Sequence, residues 1–365
     1  MSAVRSYDNV FFILSSLLVI AGLFILASSS MGISISQFGQ PYYFFLHQIL
    51  FGFIPGVILF YIALKIPYKF WRKWSLPLFL LSMGLMILVF IPQFGFYHGG
   101  AKRWLDLGPI SFQPSELLKF SFVIYLAAWL ETRSKEVSSF KFGLLPFAIM
   151  SGLIAIFLIM QPDIGTLLVL LASATALFFI RGGDLYQMGA LVLIAAVILG
   201  ALAIYEPYRM ERINVFLHPE ADPQNSGYQI NQALIAAGSG GVWGRGFALS
   251  RQKFSYLPEP IGDSIFAIVA EEMGFVGSIA LVALFILFFL RGILISKNAP
   301  DLFGKLLGAG LILLIIFQAF INMASILGMM PLTGIPLSFV SYGGSALAIM
   351  MLQLGIILNI SKNRA

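Results

Sequence analysis

The chain of 365 residues is 59% hydrophobic and only 10% charged, with a formal net charge of +6. Soluble globular proteins have roughly 25% charged residues, so an ordinary water-facing surface is excluded. The cations are scattered over short loops, which disfavours a nucleic acid as partner. With no cysteine the chain has no disulfides, thiolate sites or iron–sulfur ligands, and its three histidines lack metal-ligand spacing.

Long apolar runs follow one another along the chain and predict an all-α, polytopic membrane protein. Each run is close to the ~20 residues that a helix needs to cross the hydrocarbon core. The runs predict ten spans, at 10–29, 42–64, 75–91, 115–130, 143–160, 164–181, 186–205, 264–290, 306–327 and 343–360. They leave no room for a separate soluble domain, so residues 1–365 are predicted to form one membrane domain.

Ten spans place both chain termini on the same side of the membrane. Most of the 22 basic residues also lie in loops on that side: Arg5, Lys65, Lys69, Arg72, Lys73, Arg133, Lys135, Lys141, Arg181, Arg291, Lys297, Lys305, Lys362 and Arg364. Short loops rich in Lys and Arg stay in the cytoplasm, so both termini are predicted to be cytoplasmic and the protein to lie in the cytoplasmic (inner) membrane.

Two regions on the opposite, extracytoplasmic side are long, the loops at about 92–114 and 206–262. These regions and the adjoining start of span 4 hold the remaining basic residues: Lys102, Arg103, Lys119, Arg209, Arg212, Arg245, Arg251 and Lys253. Within the second loop, YQINQALIAAG (228–238) predicts a short amphipathic helix along the interface. Loops of this length are commonly functional.

Polar and charged residues at the outer ends of spans 4 and 6 have two possible uses. Glu116 and Lys119 are three residues apart on span 4 and close enough to pair on its surface. Alternatively, Arg103 and Lys119 present cations to the phosphate groups of a lipid, since guanidinium and ammonium groups donate charge-assisted hydrogen bonds to phosphate. In QPDIGT (161–166), Pro162 forces a turn and Asp163 is predicted to cap span 6.

Three carboxylates lie at the start of span 8. Asp263 follows two prolines, and its position alone favours a helix N-cap. Glu271 lies eight residues further on, about 12 Å deeper at 1.5 Å per residue. A carboxylate at that depth costs several kcal/mol unless it is paired or protonated. Glu271 and its neighbour Glu272 are therefore either functional groups or members of buried ion pairs.

Two glycine-rich stretches lie outside the predicted spans. GSGGVWGRG (238–246) resembles a phosphate-binding loop only superficially, because it follows no strand of a βαβ unit and lies on the outer side, so dinucleotide binding is rejected. PLTGIPLSFVSYGGSA (331–346) precedes span 10. It is either a simple turn or the wall of a cavity, where irregular backbone is tolerated at membrane depth.

Four motifs occur together in chain order: RWLDLGPISFQPSELLKF, QPDIGT, YLPEPIGDSIFAIVAEEMGFVG and PLTGIPLSFVSYGGS. With the ten spans and the large loop between spans 7 and 8, they resemble the SEDS family (shape, elongation, division and sporulation), whose members include RodA and FtsW. The resemblance covers essentially the whole chain, and SRQKFSYLPEP looks closer to the FtsW branch. The family usually has His-Thr-Asp-Phe where this chain has Ile261, Gly262, Asp263 and Ser264, Pro at the position of Ser338, and Ser at that of Ala346.

The resemblance implies a peptidoglycan glycosyltransferase that polymerises lipid II at the outer face of the cytoplasmic membrane. It places Asp263 at the position of the essential aspartate of the family. Substrate-binding roles are predicted for other motif residues, namely Arg103, Lys119, Glu116, Lys253, Gln161 and Ser341, and supporting roles for Glu271 and Asp163. The resemblance also implies a partner, a class B penicillin-binding protein that supplies transpeptidation. No cofactor is certain, and a divalent cation, Mg²⁺ or Mn²⁺, stays open.

The predicted mechanism uses Asp263 as the base that accepts a proton from a sugar hydroxyl of the acceptor. An inverting displacement needs no second carboxylate to form a covalent intermediate. Arg103 and Lys119 are expected to stabilise the departing pyrophosphate. Three alternatives remain: a RodA-like polymerase of cell elongation, a flippase for lipid II, and a membrane scaffold for division enzymes.

Overall fold

The computed structural model describes residues 7–98, 101–106, 108, 111–205, 207–219, 227–254 and 256–363. The predicted cytoplasmic residues Arg5 and Arg364 lie outside these ranges, and so does the side chain of Arg209. Parts of both predicted outer loops also fall outside them, including residues 220–226.

The part of the chain that the structure describes is nearly all helical, as the apolar runs predict. Its helices are α1 (Asn9–Ser29), α2 (Met31–Phe38), α3 (Tyr43–Gln48), α4 (Ile54–Lys65), α5 (Lys69–Leu88), α6 (Pro114–Thr132), α7 (Leu145–Met160), α8 (Ile164–Ile180), α9 (Leu185–Tyr205), α10 (Pro207–Leu217), α11 (Tyr228–Ser239), α12 (Ile265–Lys297), α13 (Leu302–Ile326) and α14 (Gly344–Lys362). Two π-helical turns, Ile49–Phe53 and Phe140–Leu144, lead directly into α4 and α7.

Each of the ten predicted spans overlaps one of these helices. Within the described ranges, six helices are long and apolar enough to cross a membrane by length and composition: Asn9–Ser29, Tyr43–Lys65, Phe140–Met160, Ile265–Lys297, Leu302–Ile326 and Gly344–Lys362. The other four predicted spans coincide with α5, α6, α8 and α9, which are shorter or less apolar over their described residues. The protein is therefore a multi-pass membrane protein.

Helices α13 and α14 form the centre of the bundle. In their most apolar stretches 83% and 94% of the residues are buried. Helix α14 packs mainly against α4, and α13 packs against α6, α8 and α12. Gly355 permits the close approach of α14 to α4, since a Cβ at this position would lie only 2.6 Å from the carbonyl oxygen of Phe60. Small residues at such contacts are typical of membrane bundles.

The first of the two predicted outer loops folds into a small antiparallel sheet that the sequence did not predict. Its strands are β1 (Gly95–His98), β2 (Ala101–Asp106) and β3 (Ser111–Phe112). Strand β2 lies in the middle, with Leu105 opposite Gly95 on one side and Phe112 on the other. The buried side chains of Ala101 and Leu105 face inward, and β2 contacts α6. The sheet therefore holds Arg103 beside the N-terminal end of α6.

Helix α12 is broken at Gly274, whose φ of 65° and ψ of −165° are not helical. A broken helix leaves backbone N–H and C=O groups that must find other partners, above all at membrane depth. Residues 241–246 supply partners through four hydrogen bonds: Arg245 N–H to Glu271 O (3.0 Å), Gly246 N–H to Glu272 O (3.0 Å), Phe275 N–H to Gly241 O (2.9 Å) and Val276 N–H to Val242 O (3.1 Å). The glycine-rich stretch 238–246 thus supplies hydrogen-bond partners to the backbone groups at the break.

Replacing Gly240 with alanine is expected to destabilise the protein, because the new Cβ would lie 2.0 Å from the carbonyl oxygen of Ala270. Forcing a methyl group into packed backbone typically costs about 1–3 kcal/mol. The thermal unfolding temperature of the purified protein in detergent should fall accordingly. Gly238→Ala is the matched control, since a Cβ there meets no described atom within 4 Å. Equal unfolding temperatures for the two variants would contradict the role of this stretch.

Candidate active site

Asp263 lies immediately before α12, but its side chain does not cap the helix. The N-cap residue is Ser264, and α12 has no side-chain cap hydrogen bond. The backbone of Asp263 is fixed instead by Asn322 on α13, whose side-chain amide donates to the carbonyl oxygens of Asp263 and Ile335 at 2.8 Å each. The N-cap that position alone favours is therefore not formed, and the carboxylate is available for other contacts.

The carboxylate of Asp263 is half-buried and lies among residues from α10, α11 and the stretch between α13 and α14. Gln229 on α11 donates a hydrogen bond of 3.1 Å from its side-chain amide to Oδ1, and the Ser264 hydroxyl lies 3.4 Å from the same oxygen. A Cβ placed on Gly334 would lie 3.7 Å from Nη2 of Arg212 and 3.9 Å from Oδ2 of Asp263. The Arg212 guanidinium and the Asp263 carboxylate thus both lie next to Gly334.

Burial raises the pKa of Asp263 to about 6, and the negative charge of Glu259 contributes in the same direction. The hydrogen bond from Gln229 and the positive charge of Arg212 oppose this rise, because both favour the ionised carboxylate. A general base works best when its pKa lies close to the operating pH. Asp263 is therefore ionised at neutral pH and basic enough to accept a proton.

Residues 331–341 form an irregular stretch packed against Asp263. We term them the hinge segment because they lie between α13 and α14. The Ser341 hydroxyl donates to the carbonyl oxygen of Gly262 (2.6 Å) and accepts from the Leu337 N–H (2.8 Å). The next residue, Tyr342, donates its backbone N–H to the carbonyl oxygen of Ile261 (2.8 Å). The hinge segment therefore holds the two residues before Asp263, and Ser341 contributes to this contact.

Glu116 and Lys119 form a buried ion pair on α6. Nζ of Lys119 lies 2.8 Å from Oε1 of Glu116, and both side chains are only 4% exposed. Lys119 also donates to the side-chain oxygen of Gln318, whose amide donates to the carbonyl oxygen of Pro336 (3.0 Å). The pair therefore contacts the hinge segment through Gln318, and Lys119 lies in the protein interior.

Arg103 binds the turn between α7 and α8. Its guanidinium donates to the carbonyl oxygens of Gln161 (3.0 Å) and Pro162. The side-chain amide of Gln161 donates in turn to the carbonyl oxygen of Met86 (3.2 Å). Arg103 and Gln161 thus connect the C-terminal end of α5 and the N-terminal end of α8 to the small sheet.

Asp163 and Gly165 connect this turn to the hinge segment. Asp163 accepts the backbone N–H of Thr166 (3.2 Å) and is the N-cap of α8, as its position predicts. A Cβ on Gly165 would lie 2.5 Å from the carbonyl oxygen of Thr333. The turn therefore packs directly on the hinge segment, close to the backbone that flanks Gly334.

Lys253 forms a second buried ion pair, with Glu272. Nζ lies 2.8 Å from Oε1 of Glu272 and 3.1 Å from the Ser28 hydroxyl, and the two ionic side chains are 0% and 4% exposed. Glu272 also accepts the backbone N–H groups of Ala248 (3.1 Å) and Ser250 (3.3 Å). The pair joins α1, α12 and the loop between α11 and α12.

Glu271 holds the same loop from the neighbouring position on α12. It accepts the backbone N–H groups of Arg251 (2.9 Å) and Gln252 (3.3 Å) and the hydroxyl of Ser250. Nε of Arg245 lies 3.6 Å from its carboxylate. The acidic side chains inside the apolar helix thus find their hydrogen-bond donors and counter-charges in backbone amides and cations of the loop.

The structure gathers the predicted site residues into three groups rather than one. Five of them lie around the hinge segment or the turn that packs on it: Glu116, Lys119, Arg103, Gln161 and Asp163. Lys253 and Glu271 hold the loop onto α12, and Ser341 holds the residues before Asp263. Among the contacts of the described residues, none of the predicted cations touches the Asp263 carboxylate.

Four residues close to Asp263 were not singled out from the sequence: Arg212, Gln229, Glu259 and Asn322. Gln229 belongs to the predicted amphipathic helix, and Arg212 is one of the outward cations. Neither has a spacing to Asp263 that indicates contact. Glu259 lies between the two prolines that precede Asp263, and this proximity is the one local signal that sequence offers.

In the parts of the chain that the structure covers, the donor set does not fit a metal ion held by protein side chains alone. No group of three or more His, Cys, Asp or Glu side chains there could hold one. We therefore derive no step of the reaction through a divalent cation.

Comparisons with known proteins agree with this architecture. The family model described as "Cell cycle protein" (FtsW, RodA, SpoVE) matches residues 8–365. Stage V sporulation protein E of Bacillus subtilis (strain 168) is 38% identical over 357 residues, covering 98% of this chain and 97% of that protein. A probable peptidoglycan glycosyltransferase FtsW of Geobacter sp. (strain M18) is 36% identical over 361 residues, covering 99% and 98%.

A solved structure is similar over the same length. It is described as "Structural coordination of polymerization and crosslinking by a peptidoglycan synthase complex", and one of its chains superposes with a TM-score of 0.80 at 28% identity, covering 98% of both chains. With the family model matched over nearly all residues, this chain belongs to the FtsW/RodA/SpoVE family of membrane proteins.

Proposed function

We propose that the chain polymerises lipid II into glycan strands at the outer face of the cytoplasmic membrane, as an FtsW-like enzyme of cell division. The chain is a peptidoglycan glycosyltransferase, in keeping with relatives of that name that match it over almost its full length. The single observation that carries the proposed mechanism concerns the Asp263 carboxylate. It makes no cap hydrogen bond to α12, and its pKa is raised to about 6.

In the proposed reaction Asp263 accepts the proton of a sugar hydroxyl on the acceptor. The hydroxyl oxygen then attacks the anomeric carbon of the donor, and the bond from that carbon to the pyrophosphate oxygen breaks. The pyrophosphate leaves with the bonding electrons, and the anomeric centre is inverted. One carboxylate suffices for this displacement, since no covalent glycosyl intermediate forms. Glu259 tunes the basicity of Asp263 through its charge.

The other motif residues are proposed to act on substrate mainly through the backbone they hold. Lys119 and Glu116 position the hinge segment through Gln318, while Arg103 and Gln161 position the turn that packs on it. Ser341 fixes the residues before Asp263. Lys253 and Glu271 keep the loop between α11 and α12 on the bundle. These contacts preorganise the site, and correct positioning of reacting groups can supply about 7–11 kcal/mol of a reaction barrier.

The distribution of basic loops supports a topology with both termini in the cytoplasm, which places Asp263 at the outer surface. We also propose a class B penicillin-binding protein as partner. Glycan strands need crosslinking, and the similar solved chain comes from a complex that its description credits with polymerisation and crosslinking.

The purified chain, reconstituted with lipid II, should convert it into glycan polymer without any added polymerase. This assay separates the polymerase from a lipid II flippase. Transfer of lipid II between the leaflets of vesicles, with no polymer formed under any condition, would contradict the proposal and favour the flippase.

The rate of polymerisation should fall as the pH is lowered through about 6, and we term this fall the acid limb of the pH profile. Only the ionised carboxylate can accept a proton, and the pKa of Asp263 is raised to about 6, so kcat/KM should fall about tenfold per unit below that pH. An unperturbed aspartate, with a pKa of about 3.9, would place the limb about two units lower. A flat profile between pH 5 and 7 would contradict a catalytic base whose pKa is raised to about 6.

A further inference from the structure

Helix α1 packs against α12, and polar contacts join the two helices at both ends of α1. Asp8, the N-cap of α1, accepts hydrogen bonds of 2.9 and 2.7 Å from the Arg291 guanidinium. At the other end of α1, the Ser28 hydroxyl lies 2.8 and 2.6 Å from the two carboxylate oxygens of Glu272. Between these contacts both helices are free of charged side chains.

The separation of the two contacts matches the thickness of a membrane. The segment from Asp8 to Ser28 measures about 30 Å at 1.5 Å per residue. The segment from Glu272 to Arg291 measures about 28 Å on the same basis. Because the hydrocarbon core of a bilayer is about 30 Å thick, the two contacts mark its boundaries. With the topology proposed above, the Glu272 contact marks the outer boundary.

The loop between α11 and α12 is held at this outer boundary. Residues 241–254, which we term the interface loop, begin with the backbone hydrogen bonds to α12 around Gly274. Further along the interface loop, Glu272 accepts the backbone N–H of Ala248 (3.1 Å) and binds Nζ of Lys253 (2.8 Å). Contacts along the interface loop therefore fix it at the level of Glu272.

The exposed side of the interface loop is apolar. It consists of large side chains that are 47–80% exposed: Val242, Trp243, Phe247, Leu249 and Phe254. The exposed apolar surface continues onto α12 at Phe275 and Val276, which pair with the first residues of the loop. Arg245 and Arg251 are exposed within the same loop. Tryptophan and exposed cations are typical of protein segments at the boundary between hydrocarbon and headgroups.

We propose that the interface loop binds the outer leaflet of the bilayer. Its apolar side chains lie at the boundary between acyl chains and headgroups, and Arg245 and Arg251 bind lipid phosphates. The loop lies no deeper, because irregular backbone exposed to lipid is not tolerated inside the hydrocarbon. A membrane is favoured over a protein as the occupant because the loop lies at the boundary and continues the exposed apolar surface of α12.

The anchor fixes the height of Asp263 above the hydrocarbon, a consequence that rests on the proposed function. Asp263 lies about 13 Å beyond Glu272 along the axis of α12. The headgroup layer on one side of a bilayer is about 5–8 Å thick. Asp263 therefore lies just outside the layer that holds lipid phosphates, at the level of a sugar attached to them.

Single introduced cysteines test the anchor, since the chain has none of its own. Phe247→Cys and Leu249→Cys carry a nitroxide spin label in vesicles of phosphatidylethanolamine and phosphatidylglycerol, with no partner protein. Depth is read from the accessibility of the label to oxygen and to a water-soluble nickel chelate. Ile286→Cys, exposed on α12 between the two boundaries, calibrates the hydrocarbon. Asp106→Cys, exposed at the end of β2, calibrates water.

Both labels in the interface loop should lie between the two calibrations, at the depth of the headgroup boundary. A water-soluble maleimide should modify the unlabelled cysteines at positions 247 and 249 at least about tenfold more slowly than the Asp106→Cys variant. This factor is the one expected from burial of one apolar side chain.

Labels at both positions as accessible to the chelate as the label in Asp106→Cys would overturn the inference. If such labels became protected only after a class B penicillin-binding protein was added, the interface loop would be a protein interface instead. The polymerisation assay separates failure of the anchor from failure of the proposed function. A water-exposed loop in a chain that makes polymer removes the anchor alone. A lipid-bound loop in a chain that makes none supports the anchor and removes the proposed function.

Discussion

Asp263→Asn is expected to lower the rate of glycan polymerisation by about 10²–10⁴-fold, the usual contribution of a general base. The amide has nearly the same shape as the carboxylate, and its oxygen can still accept the hydrogen bond from Gln229. Asn322 binds the main-chain oxygen of residue 263, which the substitution leaves in place. The variant should therefore fold normally and lose only the ability to accept a proton.

Asp106→Asn is the matched control for this experiment. Asp106 is an exposed carboxylate in the other predicted outer loop, at the end of β2, and it accepts the backbone N–H of Gly108 (2.9 Å). Its replacement should leave the polymerisation rate within about twofold of the wild type, as expected for a surface substitution away from the site. If both variants retain the wild-type rate, Asp263 is not the base.

Lys253→Met is expected to lower the stability of the protein strongly, because Lys253 belongs to a buried ion pair. Removing one partner of a buried ion pair leaves an uncompensated charge and typically costs about 3–5 kcal/mol. Here Glu272 is 4% exposed and would lose its cationic partner. The thermal unfolding temperature in detergent should fall strongly, whether or not lipid II is present.

The double variant Lys253→Met with Glu272→Gln should recover part of this loss. Glutamine keeps an oxygen that can accept backbone N–H groups of the loop, and no buried charge is left unpaired. Lys102→Met, which removes an exposed lysine from β2, should have little effect and controls for the loss of a cation. Equal stability of the Lys253 and Lys102 variants would show that the buried pair does not hold the loop.

The helices were predictable from the sequence because membrane helices need long apolar runs, and such runs are visible locally. Local chemistry also predicted the Asp163 cap and gave the pairing of Glu116 with Lys119 as one of two alternatives, since both depend on residues three positions apart. The break in α12 was not predictable. Gly274 lies within an apolar run typical of a continuous helix, and the break depends on backbone from residues 241–246.

The surroundings of Asp263 were not predictable from the sequence for a similar reason. Gln229 is 34 residues away and Arg212 lies on α10, so no helical or strand period connects them with the aspartate. The same limit applied to Glu272. Its position inside an apolar helix predicted that it needs a partner, but the sequence offered eight outward cations and no rule for choosing Lys253.

The pH dependence of polymerisation in variants around Asp263 tests the central claim most directly, because a merely structural aspartate would not move it. Glu259→Gln removes a negative charge that raises the pKa of Asp263, so the acid limb should shift to lower pH. Gln229→Leu removes a hydrogen bond that lowers the same pKa, so its limb should shift to higher pH. Opposite shifts are the predicted result, and acid limbs that coincide with the wild type in both variants would contradict Asp263 as the catalytic base.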